Sequence, residues 1–299
     1  MSCEKSQNES ELKLTDDVIE NIQIHLNDSS IIQAEVIENT LWFKTLKDYE
    51  LAIEYLSTIE TSENGLPYWE DEFSFKSMRL TLDESEINAN GFDDEIFSSL
   101  VSPDGIIVID NFIFKVDMMN ENVKVQSFDP VRKNIHFKTD EDVKEFSVGE
   151  NVLDLVFGIM DNEVDDFATR CSSQNTGWQS LQSTDGKIEY RVRYYKAGIY
   201  FTLRARIKKE SGSGGYVDMY MNTRNYWTFF KNSKGCWTYS GSVGGSSSHY
   251  SMRPYSRMRS LSAFRYYVEF TIYDSGGGSP TTYERNLNIV CKFEDNCFK

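Results

Sequence analysis

Beyond Cys171 the apolar residues recur with a period of two, and this pattern limits the fold more than any other feature of the chain. Ile199, Phe201, Leu203, Ala205 and Ile207 alternate with Tyr200, Thr202, Arg204, Arg206 and Lys208. Phe264, Tyr266, Val268, Phe270 and Ile272 alternate with Arg265, Tyr267, Glu269 and Thr271. Leu287, Ile289, Cys291 and Phe293 alternate with Asn286, Asn288, Val290 and Lys292. Successive strand residues point to opposite faces, so each run presents one apolar face to a core. Glycine- and serine-rich stretches at Ser211–Gly215, Ser240–Ser248 and Ser275–Ser279 separate the runs. The spacing predicts seven or eight antiparallel strands in a β-sandwich over residues 170–299. No fixed-period repeat is present.

Charge divides the chain near the start of this region. Residues 1–169 hold 12 Lys+Arg against 38 Asp+Glu, whereas residues 170–299 hold 19 against 9. A net of −26 thus meets a net of +10. Such a split marks a domain boundary. Either the two halves are unlike units that attract each other, or the basic half meets a polyanion. No nucleic-acid-binding motif accompanies it, so nucleic acid is not expected as a partner.

The first half reads as α+β. Residues 1–40 are polar and acidic and are expected to be a leader or tether. From Leu41 the pattern turns helical: Thr45 is a candidate N-cap with Asp48 three residues on, and Leu46, Tyr49, Ile53, Leu56 and Ile59 follow at helical spacing. Asn64-Gly65 and Pro67 end that segment, and a second helical segment is expected from Trp69 to about Leu82. Ile106–Ile109 and Phe112–Val116 flank Asp110-Asn111, which predicts a hairpin with a two-residue turn, and Val123–Gln126 reads as a third strand. This unit is expected to span residues 41–150, with 151–169 as a connector.

Catalytic and metal-binding motifs are not found. His25, His136 and His249 lack the spacing of a zinc helix, and no nucleophile elbow, P-loop or dinucleotide fingerprint occurs. Glu86, Asn88, Asn90 and Gly91 echo the opening of a calcium loop, but Phe97 stands where the bidentate acid belongs. Asp161, Glu163, Asp165 and Asp166 read as a solvated acidic turn. In the β half the acids placed inside strands are Glu189, Asp218 and Glu269, the candidates for a glycosidase pair. No cofactor is expected. Cys171, Cys236, Cys291 and Cys297 allow three disulfide pairings in an oxidising compartment, or else four buried thiols in a reducing one.

Aromatic residues are concentrated in the second half, which holds 24 of 41, including Trp178, Trp227 and Trp237. Tyr194-Tyr195, Trp227–Phe230 and Tyr266-Tyr267 place rings at adjacent strand positions, so some must point away from the core. Rings such as Tyr195, Trp227 and Tyr267 beside Arg191, Arg193, Arg204 and Arg206 are expected to form an outward surface suited to stacking and anion contacts. Packing against the N-terminal half or a flanking loop is the competing arrangement.

Residues Leu41 to Thr58 (LWFKTLKDYELAIEYLST), Phe75-Lys76-Ser77-Met78, and Asp94 to Val116 (DEIFSSLVSPDGIIVIDNFIFKV) carry a resemblance. Over about residues 41–130 the chain resembles uncharacterised lipoproteins and secreted proteins of the Bacteroidetes, and the second half looks like the β domains that follow in such proteins. The resemblance implies that Cys3, followed by Glu4, is a lipid-accepting cysteine and that residues after it form an acidic tether. Met1 to Lys5 carries no apolar signal segment, in departure from that pattern. The resulting expectation is a non-catalytic envelope protein of the periplasm or outer cell surface, lipid-anchored or secreted, binding a protein or glycan. A glycan-active enzyme and a structural or adhesion component are the rival readings.

Overall fold

The computed structural model describes residues 20–25, 31–59, 69–70, 75–83, 86, 89–137, 142–159, 171–183, 186–209, 217–232, 235–274 and 281–292. The first seven strands are β1 (Glu20–His25), β2 (Ile31–Ile37), β3 (Thr40–Phe43), β4 (Ile106–Ile109), β5 (Phe112–Asp117), β6 (Asn122–Ser127) and β7 (Lys144–Ser147), and they lie side by side in chain order. Neighbours are antiparallel except β3 and β4, which run parallel. A parallel neighbour needs a crossover. Here it carries helices α1 (Leu46–Ile59), α2 (Met78–Thr81) and α3 (Glu95–Leu100).

Local chemistry starts α1 where the spacing predicts. The Asp48 amide donates to Thr45 Oγ1 at 3.1 Å, and the Thr45 hydroxyl donates to Asp48 Oδ2 at 2.5 Å. Asp48 Oδ1 also accepts from the Gln33 amide at 2.8 Å, which pins the helix start to β2. Period two then sorts the sheet: Leu41, Phe43, Ile107, Ile109 and Phe114 face the helices, where Tyr49, Ala52, Ile53 and Leu56 meet them. Trp42, Val108 and Ile113 face the other way and are covered by Phe128 and Ile135. The expected hairpin is present, with Ile109 opposite Phe112 and Asp110 at φ 55°, as a two-residue turn of this kind requires.

Two boundaries differ from the sequence reading. Residues 20–25 and 31–37, placed in a tether, are sheet strands, and Thr40–Phe43 is a strand rather than the opening of a helix. Polar residues disguised these strands. Glu35 is buried in β2 because Lys44 and Lys133 both reach it, at 2.6 and 2.8 Å. The supposed connector begins with α4 (Val152–Phe157), which buries Val152 and Leu153. The acidic stretch 161–166 and Cys3 lie outside the described residues.

Among the described residues eleven strands follow: β8 (Gln174–Asn175), β9 (Gln179–Ser183), β10 (Gly186–Lys196), β11 (Phe201–Lys209), β12 (Val217–Thr223), β13 (Phe229–Asn232), β14 (Gly235–Thr238), β15 (Gly241–Gly245), β16 (His249–Arg257), β17 (Ala263–Asp274) and β18 (Thr281–Cys291). They form a five-stranded sheet, β16-β11-β10-β8 with β9 also on β10, and a six-stranded sheet, β14-β13-β17-β12-β15 with β18 also on β17. All described pairs are antiparallel. The inner faces share one core, in which Tyr190 meets Phe270 and Tyr194 meets Phe264, both with ring centroids 4.9 Å apart. Strand β15 lies inside a stretch that composition marks as loop. Its glycine is needed there: a Cβ on Gly244 would sit 2.4 Å from both the Tyr220 ring and the Met219 carbonyl.

Cys171 and Cys291 are disulfide-bonded across 120 residues, joining the entry of this region to the end of its last strand. Cys236 is disulfide-bonded too.

The two halves are not independent. The β10–β11 turn enters the first half's core, where Tyr195, Ala197, Ile199 and Tyr200 are buried. Tyr49 donates to the Ile199 carbonyl at 3.2 Å, and the Tyr200 ring stacks on Phe97 at 5.4 Å. Gly198 sits at φ 75° between β6 and α4, with its amide on the Val148 carbonyl and its carbonyl on the Val152 amide. A Cβ there would lie 2.6 Å from Val123 Cγ2. Gly198→Val is therefore expected to destabilise by roughly 1–3 kcal/mol from overpacking, with a further cost from the positive φ. Urea unfolding measures it, and an unchanged midpoint would remove the turn as a structural plug. Reduction of the disulfides is expected to cost about 2–5 kcal/mol, seen as a lower melting temperature in dithiothreitol.

Candidate functional site

The outer face of the five-stranded sheet carries the arginines singled out by alternation. Arg191 lies opposite Arg206 and Arg193 opposite Arg204, two like-charge cross-strand pairs that repel unless an anion intervenes. The anion is internal. Asp93, Asp94 and Glu95, at the start of α3, sit on this face. Arg191 and Arg193 both pair with Asp93, Arg204 and Arg206 with Glu95, and Arg253 with Asp94 at 2.5 Å. A register shift between β11 and β16 sets Arg253 and Pro254 across from Arg204, the kind of irregularity that re-aims a side chain. From there Arg253 also donates to the Tyr200 and Thr202 hydroxyls, both at 3.2 Å. Asp94 doubles as the helix N-cap, accepting from the Phe97 amide at 3.2 Å. Trp178 lies over Arg191 and Lys208, each 4.5 Å from its ring centroid.

These contacts correct the expectation of an outward basic surface. Arg191, Arg204 and Tyr195 are buried, and Arg193 and Arg206 keep only 20% and 17% side-chain exposure. Tyr195 donates to the Gly91 carbonyl at 3.2 Å instead of meeting solvent. The reason is the charge split itself: the ion pairs described between the halves, including Arg259–Asp154 and Arg257–Glu54, all set an acid of the first half against a base of the second.

The solvent face of the six-stranded sheet presents a different surface. Trp227, 36% exposed, lies in the loop between β12 and β13 and packs edge-on against Tyr267 at 4.4 Å and Tyr226 at 5.6 Å. Tyr267 is itself mostly covered, and Tyr226 is 64% exposed. Arg224 donates to the Tyr226 hydroxyl at 2.8 Å and pairs with Glu269 at 3.3 Å, so the aromatic trio rests on a neutralised polar brace. Burial pushes the Tyr267 phenol up, and the neighbouring Glu269 carboxylate pushes it further. Six residues along β17, roughly 20 Å away, Tyr273 and Tyr220 form a second edge-on pair at 5.5 Å. Between the two clusters the face carries Asn222, Glu269, Thr271, Asn286 and Glu284. Of the predicted site residues, Trp227 and Tyr267 are brought together here, while the arginines and Tyr195 belong to the junction between the halves. Sequence reasoning missed Tyr226, Arg224, Tyr220 and Tyr273, although Tyr273 continues the outward register of Tyr267 along one strand.

The other candidates separate. Glu189 pairs with Lys187 and Lys208 on the outer face of the five-stranded sheet, and Glu269 and Asp218 lie on the opposite side of the molecule's paired sheets. Asp218 and Glu269 do not face each other, since Asp218 is opposite Tyr273. The described residues therefore bring no two of these acids together as a catalytic pair. His249 meets the adjacent Ser248 at 3.3 Å in the open. Phe97, in the last position of the calcium-like stretch, is fully buried. Among the described residues no group of metal-ligating side chains is gathered and no helix is long and apolar enough to cross a membrane.

No protein-family model and no curated protein matches the chain. Among solved structures it is similar to a DUF4848 family protein from Bacteroides thetaiotaomicron VPI-5482, at 10% identity, with 89% of this chain and 100% of that chain covered and a TM-score of 0.21.

The junction makes stability depend on pH. Burial alone would raise both carboxyls, but Arg253 and Arg204 outweigh it at Asp94, and Arg204 and Arg206 do so at Glu95, holding both below their ordinary values. A carboxyl depressed on folding stabilises fully above its unfolded pKa, about 4, and the contribution is lost as pH falls through the folded value. Stability is expected to decline from about pH 4 downward, less steeply in Asp94→Asn. Arg253→Ala is expected to cost about 3–5 kcal/mol at neutral pH, because it strips one partner from a buried pair. Urea titrations at stepped pH test both.

Proposed function

We propose that this chain is a non-catalytic cell-envelope protein whose β-sandwich binds an extended, uncharged glycan along the solvent face of its six-stranded sheet. The observation that carries the reading is the clustering of Trp227 with Tyr226 and Tyr267 on that face, braced by Arg224 and Glu269. Exposed rings offer flat apolar area at low entropic cost, and amide and hydroxyl groups beside them supply orienting hydrogen bonds. The second aromatic pair at Tyr220 and Tyr273 favours a ligand with several repeating units over a single small molecule. Mutual neutralisation of Arg224 and Glu269 favours an uncharged ligand over a polyanion. The disulfide between Cys171 and Cys291 supports an oxidising compartment, the periplasm or the outer surface. Attachment through Cys3 belongs to this proposal as well.

A glycan array probed with the full chain is the test. Trp227→Ala is expected to weaken binding about tenfold or more, the scale of an anchor residue at a binding surface, while the thermal melt is preserved. Binding is expected to change little between low and high salt. Retention of full affinity by Trp227→Ala, or failure of every neutral glycan to bind, would overturn the assignment.

A further inference from the structure

A cleft of about 460 Å³ opens at the seam between the halves, away from the aromatic strip. Leu46, Lys47 and Glu50 of α1 line one side, and Asn232, Trp237, Arg257, Met258 and Arg259 of the paired sheets line the other. Its size falls in the range of small-ligand sites, which favour junctions of this kind. Trp237 is 38% exposed and is steadied by Phe230 at 5.6 Å and Tyr255 at 6.4 Å. Its neighbour Cys236 is disulfide-bonded. Asn232 and Tyr255, both buried, hold the base of the β13–β14 hairpin: the Asn232 amide donates to the Tyr255 hydroxyl at 3.1 Å, and that hydroxyl donates to the Arg259 carbonyl. The ring wall is thus built on a fixed frame.

The cations of this cleft are the informative part. Arg259 engages Asp154 through Nε, at 3.1 and 3.2 Å to the two carboxylate oxygens. Arg257 is 46% exposed, donates to the Ser256 carbonyl, and reaches Glu54 only at 3.7 Å. Lys47 is 64% exposed beside Glu50. Each of these cations has an acid beside it, and of the three pairs Arg257–Glu54 is the longest, at 3.7 Å between two half-exposed groups. A guanidinium held loosely by a distant carboxylate is ready to exchange it for a closer one, and its planar fork suits a carboxylate best.

We infer that this seam cleft binds a carboxylate-bearing saccharide, with the sugar ring against Trp237 and the carboxylate on Arg257 in place of Glu54. The inference is independent of the aromatic strip, which has a neutral polar brace and lies on another surface.

Calorimetry on the full chain tests it with oligogalacturonate, a glucuronate-containing disaccharide and sialyllactose, and with methyl-esterified oligogalacturonate as the uncharged control. At least one acid is expected to bind, with about tenfold weaker binding for an ester or for Arg257→Gln, the scale of one charge-assisted contact. Trp237→Leu is expected to weaken it as well. Glu54→Gln is expected to tighten binding by removing the competitor, and Trp227→Ala to leave it unchanged. Arg257 is half exposed, so its variant should melt as the parent does. The inference is overturned if none of the three acids binds at about 1 mM. It is equally overturned if acid and ester bind alike, if Arg257→Gln has no effect, or if Trp227→Ala abolishes the acidic complex. Loss of neutral-glycan binding in Trp227→Ala alone would bear only on the strip.

Discussion

Three carboxylates at the head of a short helix meet five guanidinium groups on one sheet face, and the arrangement of the whole chain depends on that meeting. Without Asp93, Asp94 and Glu95 the facing pairs Arg191–Arg206 and Arg193–Arg204 would oppose like charges in a partly desolvated place. Without the arginines, the buried Asp94 would have no counter-charge. Each partner makes the other's position tolerable. The same contact holds the β10–β11 turn in the first half's core, where Tyr200 stacks on Phe97 one turn into the helix that Asp94 caps.

Much of the local structure was legible in the residues. Thr45 and Asp48 set the start of α1, Asp110-Asn111 closed the hairpin, and alternation identified the long strands β11, β17 and β18. Strands β1 and β2 were hidden because period-two reading expects polar residues to be exposed, whereas Glu35 is buried between two lysines. Strand β15 was hidden because glycine weakens every strand signal while here it makes room for Tyr220.

The site was only half legible, for a reason that belongs to the code itself. Alternation says which side chains leave a core but not what waits on the other side. Arg191 and Tyr195 leave the inner core of the paired sheets and enter a second interior, while Tyr267 and Tyr273 leave the same core toward solvent or a thin aromatic cover. The charge split held the missing information. Its acidic half was too uniformly acidic, however, for Asp93–Glu95 to stand out from the other runs. The face that meets the first half is closed by buried ion pairs, whereas the side chains of Arg224 on the six-stranded sheet and Arg257 at the edge of the seam stay 48% and 46% exposed.

The covalent link between Cys171 and Cys291 has a mechanical consequence. A pull applied to the two ends of the chain would travel through the sulfur bridge and bypass the strands between them, so those sheets could not be drawn out as an extended thread. The part that carries the aromatic strip would keep its shape under such a load.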